Sequence, residues 1–283
     1  MSATKGILDK IENLDVRIIY ILVIICIAIP IAYPLGLPIE VSGSTLSAHN
    51  FIEQLPEGSV VLVGFETGAA GWPELGPQLN AYTQHLFDRN MKILIVSGNV
   101  DGAMLAEMYT IPKIVETGKV YGEDWVNLGY IAGGESGIAA FASQITSVTP
   151  RDYFGTPLES IEMMKNIKSA ADFKLAIVCS WGTPGEAEYL RQYTTKFGVP
   201  LIVGAQVVSV PGLVPYYQSG QVVGYTAGLR GAGEYEILIG RPGYAVSSLD
   251  AASSYHLIVF VLIMIGNIAM VAKRLGTPKK EVS

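Results

Sequence analysis

Formal charge is scarce in this chain. Of 283 residues, 16% are Asp, Glu, Lys or Arg, against about 25% in ordinary soluble domains. Half are apolar, which excludes a disordered chain, a coiled coil and a collagen-like fibre. Two cysteines are too few for a disulfide scaffold or a four-cysteine zinc site. Three histidines leave a nucleophile few bases to draw on. The net charge of −6 argues against nucleic acid as a partner. No GxxxxGKS/T phosphate loop, GxGxxG turn or GxSxG elbow occurs. Nothing therefore requires a cofactor or a resident metal, and no residue is assigned a catalytic role.

The apolar residues gather at the two ends. The runs Ile18–Ile39 and Ala251–Ala272 carry no formal charge. At about 1.5 Å per residue, each is long enough to cross a hydrocarbon core of roughly 30 Å as a helix. The expected layout is a tail at 1–17, a span at 18–39, a main domain at 40–253, a second span at 254–272 and a basic tail at 273–283. The first run is too long for a signal-peptide core and no small-x-small cleavage site follows it. Lys5, Lys10 and Arg17 flank it, while Lys273, Arg274, Lys279 and Lys280 follow the second. From Pro38 to Gly58 there is no Lys or Arg. The positive-inside rule then puts both termini in the cytoplasm and the main domain outside it. One cysteine in that domain and no Asn-x-Ser/Thr sequon favour a prokaryotic cell membrane. The stretch Lys5–Arg17 places Ile7, Leu8, Ile11 and Leu14 on one helical face, as a surface-lying amphipathic helix does.

Between the spans the pattern alternates. Short β-branched runs at 59–65, 91–97, 126–131, 174–180 and 200–208 read as buried strands. Helical spacing separates them, with Leu75, Leu79, Tyr82 and Leu86 on one face of 74–89. Further helices are expected at 101–117, with Asp101 as cap, and at 134–144, 157–168 and 184–197, the last with Thr183 as cap. A final small-residue helix is expected near 218–229. The fold class is α/β, a doubly wound, mostly parallel five-stranded Rossmann-like sheet.

In such sheets ligands bind beyond the carboxyl ends of the strands, at the switch point of strand order. The loops there are small, polar and Gly-rich. Their ligand-binding candidates are Glu66 and Thr67 after the first strand, Asn99 and Asp101 after the second, and Gly133, Gly134, Glu135 and Ser136 after the third. Ser180, Trp181 and Thr183 follow the fourth, and Gln206 the fifth. Glu66, Asp101, Glu123, Asp124 and Glu135 could converge as an acidic cluster for a divalent metal. Cys179 reads as a core residue and His85 as a surface histidine.

Gly220, Gly224, Gly228 and Ala232 recur every four residues, the spacing of a smooth helix-packing ridge. Asn267 is polar within the second apolar run, and such residues usually face another helix. These five are the interface candidates. The leading functional expectation is a membrane-anchored, non-catalytic binding or assembly subunit of a cell-envelope complex. Its expected partners are the lipid bilayer and either copies of itself, as a homo-oligomer, or other membrane subunits. An anchored solute-recognition module for a small-molecule ligand is the alternative, and a metal-dependent hydrolase using the acidic cluster is a third.

Overall fold

The computed structural model describes residues 15–276, with side chains described as far as Ala272. The amphipathic stretch expected before Asp15 lies outside those residues, as do Lys279 and Lys280, and the side chains of Lys273 and Arg274 are not described. The chain divides into two units, residues 39–245 and a second made of residues 1–38 with 246–283.

In the second unit, α1 (Val16–Ala32) is capped by Asp15, whose side chain accepts from Arg17 N–H at 2.9 Å. Its 17 residues rise about 25 Å, short of the roughly 30 Å of a hydrocarbon core. The helix stops at Ala32 rather than Ile39, because Pro34 and Pro38 cannot continue it. Helix numbering runs on through the other unit, so the long C-terminal helix Tyr244–Gly276 is α10. Its stretch Tyr244–Ala272, 29 residues, is long and apolar enough to cross a membrane. Within this unit Asp250 is buried and accepts from Gly36 N–H at 2.9 Å and Leu37 N–H at 3.1 Å. Asn267 is exposed on α10.

The unit at 39–245 holds α2 (Gly43–Glu53), β1 (Val60–Glu66), α3 (Trp72–Asp88), β2 (Lys92–Ser97), α4 (Val100–Leu105), α5 (Ile111–Glu116), β3 (Trp125–Tyr130), α6 (Gly134–Ser143), β4 (Leu175–Ser180), α7 (Glu186–Tyr189), β5 (Leu201–Ala205), α8 (Val210–Gln218), β6 (Val222–Ala227) and α9 (Gly228–Leu238). All strand pairs are parallel, and the spatial order is β3-β2-β1-β4-β5-β6. This is the Rossmann-like doubly wound order, with its switch point between β1 and β4.

Strand alternation divides the core in two. Leu62, Leu94, Val126, Val178 and Val203 face a cluster with Phe141, Tyr189 and Tyr193. Val61, Phe65, Ile93, Ile177 and Ile202 face Leu75, Leu79, Tyr82 and Leu86 of α3, the face read from the sequence.

Five expectations are corrected. The sheet has six strands, not five, and 222–227 is a strand rather than part of a helix. The ridge is therefore no helical face. Gly220 lies in a turn at φ +77°, Gly224 is within β6, Gly228 opens α9 at φ +56°, and Ala232 is in α9. The helix expected at 157–168 is two short 3-10 turns, interrupted at Ile161 by extended backbone. Asn99, not Asp101, caps the helix after β2, and that helix breaks into a π turn at Ala106–Thr110 ahead of Pro112. Proline has no N–H to give the preceding turn, so the turn widens. Finally, α7 starts at Glu186 with Gly185 at its cap, not Thr183.

Buried polar groups fix the helices. Gln78, fully buried, donates to the carbonyls of Glu74, Ala205 and Gly228 and accepts from Thr226 Oγ1 at 2.6 Å. That ties α3 to the ends of β5 and β6. Glu234 on α9, also buried, accepts from Ser42 N–H, Ser42 Oγ and Thr45 Oγ1. It satisfies the start of α2 with a carboxylate, where the helix dipole favours negative charge.

Candidate functional site

At the switch point, Glu66 ends β1 with its side chain buried. Both carboxylate oxygens accept from Gly98 N–H, at 2.8 and 2.9 Å, and Tyr189 donates to Oε1 at 2.6 Å. Desolvation outweighs these donors, and the carboxyl is pushed up to about 7. Beside it, Trp181 is 45% exposed, and its backbone N–H donates to the Glu66 carbonyl at 2.8 Å. Ser180 donates to Glu186 at 2.5 Å. Thr67 is buried and bonds the Gly68 carbonyl.

Backbone approach is close here. A Cβ on Gly102 would lie 1.9 Å from the Phe65 carbonyl oxygen, so α4 can start against the end of β1 only with glycine there. A Cβ on Gly68 would lie 3.3 Å from an Asp101 carboxylate oxygen and 3.4 Å from the Trp181 ring. Glu66, Thr67, Asp101, Ser180 and Trp181 are thus gathered around the switch point.

The other candidates are placed differently. Asn99 accepts from Asp101 N–H and is occupied as a cap. Gly133 and Gly134 both have positive φ and open α6, where Ser136 is exposed. Glu135 accepts from Arg191 Nε and Nη2, at 2.8 and 2.9 Å, and from Gln192. The Arg191 guanidinium holds that carboxyl down at about 2. Thr183 is exposed and Gln206 buried after β5. Glu123 and Asp124 precede β3, at the opposite strand end, and Asp124 accepts from Val120 N–H. The acidic residues do not converge, which removes the cluster on which the hydrolase expectation stood. Cys179 is fully buried and its thiol is pushed up by desolvation, as a core residue's would be.

A cavity of about 580 Å³ lies elsewhere in this unit, along α3. Trp72, Pro77, Tyr109, Ile239 and Tyr244 form its apolar walls, with Trp72 and Tyr109 ring centroids 5.3 Å apart. Its polar lining includes Asn80, Lys113 and Arg241. Arg241 is held by Asp88 at 2.8 Å, and Asn80 accepts from Thr110. Lys113 is exposed and makes no ion pair among the described residues. None of the twelve ligand-binding candidates lines this cavity. The sequence reading looked to the loops beyond the strands and missed it.

His85 is also not where the sequence put it. It is 3% exposed, bonded to Glu53 at 2.9 Å and Tyr235 at 2.7 Å. No family model, curated protein or solved structure matches the chain.

Proposed function

We propose that the chain is a membrane-anchored recognition module that binds a small amphipathic molecule bearing an anionic group. The observation that carries this reading is the cavity along α3. Its volume falls in the roughly 300–1,000 Å³ range of small-molecule sites, and apolar walls with a few convergent polar groups are their usual lining. Aromatic rings would take the apolar body. Lys113, an exposed cation of this lining with no ion pair among the described residues, would take the anion. The proposal also includes two membrane spans, with α1 and its flanks as the first and α10 as the second. The basic tails would lie in the cytoplasm, with the α/β unit outside it.

Native mass spectrometry of protein extracted from its own membrane tests the reading. A retained small mass, lost together with ligand-dependent thermal stabilisation in Trp72→Ala and Lys113→Glu, supports it. A bare 30.3 kDa chain, with no probe among alkyl phosphates and fatty acids raising Tm, refutes it.

One observation favours the assembly reading as a second. Asn267 is exposed on the apolar α10, where a polar side chain in lipid gains by facing another helix. Under that reading, cross-linking in native membranes yields defined homo-oligomers or stoichiometric partners, and Asn267→Leu weakens them.

A further inference from the structure

Two of the three histidines meet. His49 and Glu53 are four residues apart on α2, hence on one face, and His85 comes up from α3. His85 Nε2 lies 2.9 Å and His49 Nε2 3.9 Å from the same oxygen, Glu53 Oε1. All three residues offer ligand atoms within 4.8 Å of one another. We propose that His49, Glu53 and His85 bind one divalent cation of the zinc class, clamping α2 to α3.

The donor chemistry fits. Two imidazoles and one carboxylate form a three-ligand set that leaves a fourth position for water. Bonds of about 2.0–2.2 Å place the ligand atoms of a tetrahedral centre roughly 3.3–3.5 Å apart, and 2.9 and 3.9 Å bracket that spacing. Zn²⁺, Co²⁺ and Ni²⁺ accept such imidazole-rich sites, whereas Mg²⁺ and Ca²⁺ prefer all-oxygen shells.

The partner of the second ring nitrogen is already in place. His85 Nδ1 faces the Tyr235 hydroxyl at 2.7 Å. That hydroxyl can donate or accept. When Nε2 binds an ion, Nδ1–H donates to Tyr235, the orientation metal-bound histidines require. Arg89 lies 3.6 Å from Glu53 Oε2, beyond a hydrogen bond. It leaves Oε1 to the ion and balances the charge on Oε2.

One side chain must move. The His49 and His85 rings stack at 4.7 Å, 18° apart in plane. An ion lies near the plane of each imidazole it binds, so the His49 ring turns out of the stack. His49 is half-buried and Glu53 exposed, so the ion enters from their side.

The experiment uses the full chain, tag-free in detergent, stripped with chelator and titrated with Zn²⁺ or Co²⁺ by calorimetry and cobalt absorption. One ion should bind per chain, with a tetrahedral cobalt spectrum. At 100 times Kd the α/β unit should melt roughly 5–10 °C higher. His49→Ala and Glu53→Gln, on the exposed side, should each weaken binding more than the roughly 10–100-fold loss of an outer partner, and Tyr235→Phe by about that 10–100-fold. Glu135→Gln, on an exposed carboxylate elsewhere, should change nothing. Less than one ion per chain overturns the proposal, as does equal binding by wild type, His49→Ala and Glu53→Gln.

Discussion

Replacing Glu66 by Gln should make the α/β unit less sensitive to pH, by an amount the burial of the carboxyl sets. In the unfolded chain this carboxyl titrates near 4.5, and in the fold at about 7. Between those values the native state holds a proton that the unfolded state has released. Stability therefore falls as pH rises through this window and levels off above it. At about 1.36 kcal/mol per pH unit, the total is about 3 kcal/mol. Gln keeps one oxygen for Tyr189 and Gly98 but carries no charge. The variant should match wild type near pH 4.5 and exceed it by about 3 kcal/mol at pH 8. His85, lowered by burial, works in the other direction, losing stability as pH drops below its ordinary 6.5, and it cancels between the two proteins. All three tryptophans lie in this unit, so urea unfolding followed by tryptophan fluorescence from pH 4.5 to 8 reads the difference. Parallel stability curves would refute the assignment of Glu66 as a buried, half-protonated acid.

Gly224→Ala should lower stability by about 1–3 kcal/mol through overpacking, since its Cβ would sit 2.3 Å from Ala48 N and 2.5 Å from Ala48 Cα. Ala48→Gly should not rescue it, because the atoms struck are backbone, and thermal melts of the double variant check this. Gln78→Leu should cost about 2–5 kcal/mol by stranding the carbonyls of Ala205 and Gly228, measured as a shift in urea midpoint at unchanged slope. Asp250→Ala frees the N–H groups of Gly36 and Leu37, so limited proteolysis should cut near residues 33–38 faster than in wild type. Equal cleavage rates would show that Asp250 does not hold this segment.

Strands were legible where burial on both faces demanded unbroken apolar runs. The run VVLVGF at 60–65 and the run LAIVCS at 175–180 could be little else. β6 escaped because Gly224 interrupts its apolar run. Its burial alternates, with Val222, Gly224 and Thr226 inside and Val223, Tyr225 and Ala227 half-covered. The i+4 spacing of glycines hid that period of two. At the switch point the type of residue was readable but its state was not. Glu66 stands at a strand end in any doubly wound reading. Whether it is solvated or buried depends on Tyr189, more than a hundred residues away. Convergence was misjudged for a simpler reason, since Glu123 and Asp124 sit before a strand and Glu66 after one.

The missed strand and the missed histidine pair have one cause. α2 needs a surface to lie on, and Gly224 of β6 provides it by letting the helix backbone come into contact. Glu234, on the helix that β6 leads into, then caps the start of α2. Those two fixtures set the rotation of α2 about its axis, turning His49 and Glu53 toward His85. A five-stranded sheet offers α2 neither fixture, so in that reading His49 and Glu53 have no role and His85 lies on the surface. The i,i+4 spacing of His49 and Glu53 was visible throughout. It carried no meaning until the sixth strand supplied the floor beneath Ala48.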